Sequence, residues 1–325
     1  KWNFKNWINE IRQKIYLRLI EAIGKEKGNF IAAILIGETK GLSSEILDLT
    51  RYSGISHILS VSGLHLSLVA MTSFAIARIL LNFSNYIANF YNIKTIAGVI
   101  SIISSLIYLF ISGMKVAAIR AFVMSAIFTI AIIIGRSAYP IRSVFIAAFL
   151  ILLFYPENIM HPSFQLSFVA VLCLISGFEF YFIKNKLGTG IAGNLKNYLM
   201  MNIYSSFLAS ILTAPFIIFH FYQFPTYSVL MNLIAVPLMS FIIMPFSLLG
   251  LIFINSGLDQ YIFEFVGIFI SIITYSAKII VNLPYSVLYT GNISKISLLI
   301  FSLGLFWLSI WKTNFRFIGI LLIII

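Results

Sequence analysis

Polar residues in this chain are confined to short breaks between long apolar runs. The runs lie at residues 57–81, 95–113, 119–135, 142–155, 164–183, 198–221, 228–254, 260–282, 296–311 and from 315 onward. Each is near the ~17–25 residues that a tilted helix needs to cross a bilayer, or slightly short of it. The pattern predicts an all-α fold, a polytopic transmembrane helix bundle of about nine to ten spans. Self-similarity at a fixed period, the mark of a repeat architecture, is not evident.

The first 52 residues follow a different pattern. Phe4, Trp7, Ile8, Ile11, Ile15 and Leu19 keep to one helical face, and Lys5, Glu10, Arg12, Lys14 and Glu21 lie off it. This predicts an amphipathic helix lying on the membrane surface, with residues 1–28 as an interfacial element broken from Gly24 to Gly28. Residues 29–36 are apolar but too short to span. Gly37 to Ser43 reads as a turn, with Ser43 or Ser44 capping a short helix that ends near Arg51. Residues 29–311 are expected to form the membrane-embedded domain. Residues 312–325 are expected to start a further helix that stops short of spanning length, as in a truncated chain.

Composition agrees with this reading. Of 325 residues, 60% are hydrophobic and 10% charged, far below the roughly 25% charged content of soluble domains. Beyond Tyr52, thirteen Lys and Arg face only Glu157, Glu179, Asp259 and Glu264. Such an excess suits positively charged cytoplasmic loops, and equally a basic path for an anionic substrate. If the 57–81 run crosses once, nine basic loop residues oppose three and the N-terminus lies outside. The seven Lys and Arg among the first 27 residues pull the other way, and a re-entrant fold at Ser62-Gly63 reverses the parity. Cys173 is the only cysteine, which excludes a disulfide within the chain.

The densest polar break is Gly54-Ile55-Ser56-His57-Ile58-Leu59-Ser60-Val61-Ser62-Gly63-Leu64-His65-Leu66. Polar groups at membrane depth need partners, so such a break marks a helix contact, a wet cavity or a site. His57 and His65 are about 80° apart on a continuous helix, so they share a face only if it bends at Ser62-Gly63. Glu45 and Asp48 could complete a metal site, but hydrogen-bonded structural histidines suit the spacing better and no metal is expected. Ser60-Val61-Ser62-Gly63 resembles the Gly-x-Ser-Gly of rhomboid-type intramembrane proteases, with Ser60 in place of glycine and only His161 or His220 as a base. An intramembrane serine hydrolase using Ser62 is therefore an alternative.

Other polar positions are fewer. Lys115 and Arg120 follow Gly113 at one membrane edge, either snorkelling to headgroups or forming a basic rim on a pore. Lys278 and Glu179 sit deeper, where a charge must pair or face a cavity. Gln165 and Ser167, after His161-Pro162, suit a hydrogen-bonded helix contact. Pro215, Pro237 and Pro245 lie inside apolar runs, with Asn232 one turn before Pro237. Each proline removes a donor, so these helices are predicted to kink or open.

Several of these stretches together resemble one family, the ComEC-type DNA-uptake channel (competence protein) family, in its membrane-embedded domain. Gly37-Glu38, Leu42, Gly54 to Leu59 and Ser62-Gly63-Leu64-His65 resemble its opening signature, with Ser60 where alanine is more usual. Gly113, Arg120-Ala121 and Met124 are similar to a second motif, with Ala117 where Ser or Pro is frequent. Pro156, Pro162, Phe164-Gln165-Leu166-Ser167-Phe168 and Ala170 resemble a third; Ala214-Pro215, His220-Phe221, Asn232, Ala235 and Pro237 resemble the last.

The resemblance implies passage of one DNA strand through a channel across the bacterial cytoplasmic membrane in natural transformation, without covalent chemistry or cofactor. His57, Ser62, Gly63, His65, Gln165 and Asn232 would lie along the path, with Lys115 and Arg120 as rim cations. Single-stranded DNA and membrane lipid are the implied partners, with outer DNA-binding and nuclease-like domains carried separately. Cations and aromatic side chains are compatible with phosphate and base contacts. A secondary transporter of a small anion, built on broken helices, is a further alternative.

Overall fold

The computed structural model describes residues 4–61, 63–135, 140–184, 191–254, 256–311 and 313–324; for residues 4, 85, 87, 88, 178–184, 191, 192, 194, 195 and 324 it describes the backbone alone. Sixteen α-helices are found among these residues. They are α1 (Phe4–Ile23), α2 (Lys25–Leu35), α3 (Ser44–Tyr52), α4 (Ser56–Leu59), α5 (Gly63–Asn82), α6 (Asn85–Phe90), α7 (Ile93–Ile111) and α8 (Val116–Ile134). They continue with α9 (Pro140–Phe154), α10 (Pro162–Lys184), α11 (Ile191–Phe221), α12 (Ser228–Leu238), α13 (Met244–Ile252), α14 (Leu258–Val281), α15 (Lys295–Ile310) and α16 (Ile318–Ile324). Two short antiparallel strands, β1 (Gln223–Pro225) and β2 (Val287–Tyr289), pair Phe224 with Leu288.

Six of the described helical stretches are long and apolar enough to cross a membrane: α5, α7, α8, residues 196–221 of α11, α12 through α13, and α14. The other predicted spans are helical but shorter in their described apolar parts, at 140–154, 162–177, 295–310 and 314–323. The all-α expectation therefore holds, and among the described residues the count of nine to ten spans is not confirmed. Helices of 15 or 16 residues such as α9 and α15 reach only ~24 Å of a ~30 Å hydrocarbon core.

The chain divides into two compact units. The first comprises residues 1–51, 55–139 and 235–278. Its core is α2, where every residue from Gly28 to Leu35 is buried. An apolar helix too short to span is hydrophobic all round because protein surrounds it. Gly28 lets α1 and α2 meet: a Cβ there would lie 2.9 Å from the Leu19 carbonyl oxygen. Around α2 the unit packs α1, α4 and α13, while α5, α7 and α8 form a mutually packed trio.

The break expected from Gly24 to Gly28 is shorter than predicted. Only Gly24 breaks the helix, and Lys25 already belongs to α2. The apolar face of α1 also turns partly inward, with Ile15 and Leu19 buried while Trp7 remains exposed. The 37–43 turn and its capped helix form as predicted, the Ser43 hydroxyl accepting the Ile46 N–H at 3.3 Å.

The second unit comprises residues 52–54, 140–234 and 279–325. In it α10 packs against α9, α11 and α15, and α16 folds back on α15. Phe216, Cys173, Leu298 and Leu305 form its apolar centre.

The prolines act unequally. α11 runs through Pro215 without interruption. Between Pro237 and Pro245 the helix widens into a π-helical segment, Met239–Ile243. Proline cannot donate to the carbonyl four residues back, so the ladder there re-forms one residue wider.

Candidate functional site

The polar break at 54–66 is a true interruption of helix. α4 ends at Leu59, Ser60 turns extended, and α5 starts at Gly63. Ser60 and Val61 carry the bend, while Ser62 lies outside the described residues. Gly54 precedes it in a left-handed conformation, φ +82°, where a Cβ would press on Ser228. A residue with a side chain would therefore be both strained and crowded at this position.

The bend separates the two histidines by environment. His57, on α4, is exposed, and His65, on α5, is 1% exposed. The carboxylates considered as metal partners are engaged elsewhere: Glu45 pairs with Lys278 at 3.2 Å, and Asp48 lies 3.9 Å from Arg51. Lys278 thus meets a counter-charge, in a pair whose two side chains are both exposed. Glu179 lies outside the described side chains.

Arg120 meets this break from α8. A Cβ on Gly63 would lie 3.4 Å from Nη2 of Arg120 and 3.8 Å from the Ala121 Cβ, so glycine leaves the guanidinium room against the start of α5. Arg120 also places Nη1 3.7 Å from the Met124 sulfur and is only 6% exposed. It is a buried cation.

Lys115 differs, half-buried at the N-cap position of α8. The turn Ser112-Gly113-Met114-Lys115 packs on the 36–41 turn. A Cβ on Gly37 would lie 2.5 Å from the Ser112 carbonyl oxygen and 3.4 Å from Cε of Lys115. Arg12 closes the junction by donating from Nη2 to the Ile36 carbonyl at 3.0 Å. Burial pushes the Lys115 ammonium below its ordinary range; nearby Glu38 opposes that shift and Arg12 adds to it.

Gln165 and Asn232 fall in the second unit. Gln165 donates from Nε2 to the Ile159 carbonyl at 2.9 Å, and its Oε1 lies 2.8 Å from Nε2 of His220. With the amide nitrogen so used, Oε1 accepts and His220 carries its proton on Nε2. This is the helix contact predicted for Gln165, tying α10 to α11. Asn232 is buried on α12, and its side-chain oxygen has no hydrogen-bond partner among the described residues. Two features escaped the sequence reading: the Gln165–His220 pair and an ion pair between Arg18 and Asp259.

This arrangement defines a class: a helical, multi-pass membrane protein with a broken polar helix and a buried arginine packed against it. The chain belongs to the Competence protein family, whose model matches residues 34–315. It is similar to ComE operon protein 3 of Bacillus subtilis (strain 168), 23% identical over 253 residues, 78% of this chain and 30% of that protein. It is also similar to Competence protein ComA of Neisseria gonorrhoeae, 28% identical over 229 residues, 70% of this chain and 31% of that one. The matched region is thus under a third of the length of these relatives. No solved structure matches the chain.

Proposed function

We propose that this chain forms the transmembrane path by which a single DNA strand crosses the bacterial cytoplasmic membrane during natural transformation. The observation that carries the reading is membership of the competence family across 34–315, a region that includes the helix break and the arginine beside it. A role in DNA uptake follows from the family. The channel, the strand and the membrane are the finer parts of the proposal.

In this reading Lys115, Arg120 and His57 meet phosphate, and Gly63 keeps bulk away from Arg120. His65 and Ser62 line the bend, with Gln165 and Asn232 further along the path. A strand needs cations that offset phosphate charge and surfaces that do not read sequence. A cation held within the protein serves better than one in water, because low dielectric strengthens its attraction for phosphate. The chain acts without catalysis, and outer DNA-binding and nuclease-like domains act with it as separate parts.

The test is uptake of labelled DNA in a transformable host carrying those other domains. Lys115→Gln with Arg120→Gln is expected to lower uptake at least about tenfold, the scale of losing charged hydrogen bonds. Arg120→Lys, which keeps the charge, should retain more uptake than Arg120→Gln at equal protein level in the membrane. Equal uptake in all variants would remove both cations from the path.

A further inference from the structure

A cavity of about 400 Å³ opens between α1 and the 36–41 turn, apart from the residues assigned to the strand. Its wall includes Asn9, Arg12, Gln13, Glu38 and Lys40. Arg12 lines the cavity with its Nη2 committed to the Ile36 carbonyl at 3.0 Å, which fixes the guanidinium at the wall. A guanidinium fixed at the wall of an open cavity attracts an anionic oxygen into it.

The charges on the wall narrow the ligand. Arg12 and Lys40 supply two cations against the one carboxylate of Glu38, whose Oε1 already accepts the Lys40 N–H at 3.3 Å. A ligand of net charge −1 balances the wall. A zwitterionic ligand leaves it positive. Asn9 and Gln13 add neutral donors and acceptors suited to hydroxyl groups, and the Glu38 carboxylate can accept from them. The same helix exposes Trp7 and Leu17, large apolar side chains suited to the headgroup boundary of a bilayer.

We propose that this cavity binds the phosphodiester headgroup of an anionic, hydroxyl-bearing phospholipid of the phosphatidylglycerol type. The Arg12 guanidinium and the Lys40 ammonium take the phosphate oxygens, and Asn9, Gln13 and Glu38 take the glycerol hydroxyls. The bound lipid fixes α1 against the turn that carries Gly37. The site is independent of strand passage and stands or falls without it.

Native mass spectrometry of the full chain, purified in detergent with equimolar phosphatidylglycerol and phosphatidylethanolamine, tests this. Selective retention of phosphatidylglycerol is expected, and Arg12→Gln and Lys40→Gln should each lower the preference about fivefold. The Lys40 side chain is exposed, so Lys40→Gln decides the matter if Arg12→Gln disturbs the Ile36 turn. Equal retention of both lipids, or unchanged preference in Lys40→Gln, overturns the site. Inorganic phosphate is expected not to displace the lipid, whose acyl chains add affinity. Displacement by phosphate alone would reassign the cavity to a free anion, and displacement by a short oligonucleotide would reassign it to the strand; either overturns the lipid assignment.

Discussion

Arg18→Met is expected to destabilise the first unit by about 3 kcal/mol, the scale of stripping one partner from a buried ion pair. Arg18 grips Asp259 with two bonds, Nε to Oδ2 at 2.7 Å and Nη2 to Oδ1 at 3.3 Å. Asp259 is fully buried in the first turn of α14. Taking the guanidinium away strips two charged hydrogen bonds from that carboxylate in low dielectric. The reverse change, Asp259→Leu, should cost less, because Arg18 is 22% exposed and keeps Glu21 at 2.9 Å. The double variant should be more stable than Arg18→Met alone, since it no longer buries a carboxylate. Unfolding midpoints of the purified protein check all three. Equal costs for the two single changes, or a strictly additive double, would sink the assignment.

This pair marks the limit of what the sequence made legible. The helices of the membrane body were readable because lipid and protein interiors both demand apolar side chains, so length and hydropathy alone reveal them. Residues 29–36 were correctly too short to span, but that they form the buried centre of a unit depends on partners in α1 and α13. Arg18 and Asp259 are 241 positions apart, and their pairing is a product of tertiary packing. The polar density of 54–66 announced a bend, and it forms at Ser60-Val61. Which histidine is buried, and that Arg120 packs against Gly63, depend on the tertiary contact between α8 and α5, which spacing along the chain does not encode. Gln165 was legible as a helix contact because polar residues in apolar helices seek partners, whereas its choice of His220 was not.

Gly37→Ala is expected to cost about 3 kcal/mol or more, from left-handed strain of about 1–2 kcal/mol plus overpacking of similar size. Gly37 has φ +70°, and its added Cβ would meet the Ser112 carbonyl oxygen at 2.5 Å. That oxygen belongs to backbone that cannot swing away freely. The turn is held by the Ser112 N–H on the Tyr108 carbonyl at 2.8 Å and the Met114 N–H on the Leu109 carbonyl at 3.2 Å. Gly135 supplies the control, since it has φ +74° and nothing within 4 Å of an added Cβ. Gly135→Ala therefore carries the strain without the collision and should cost about 1 kcal/mol. The difference between the two unfolding free energies measures the close approach of the 36–41 turn to the Ser112–Lys115 turn. Equal costs at the two glycines would show that the turns yield easily. A large difference means that the position of Lys115 is set by Gly37, and DNA uptake should then fall in Gly37→Ala even where the protein is kept at normal levels.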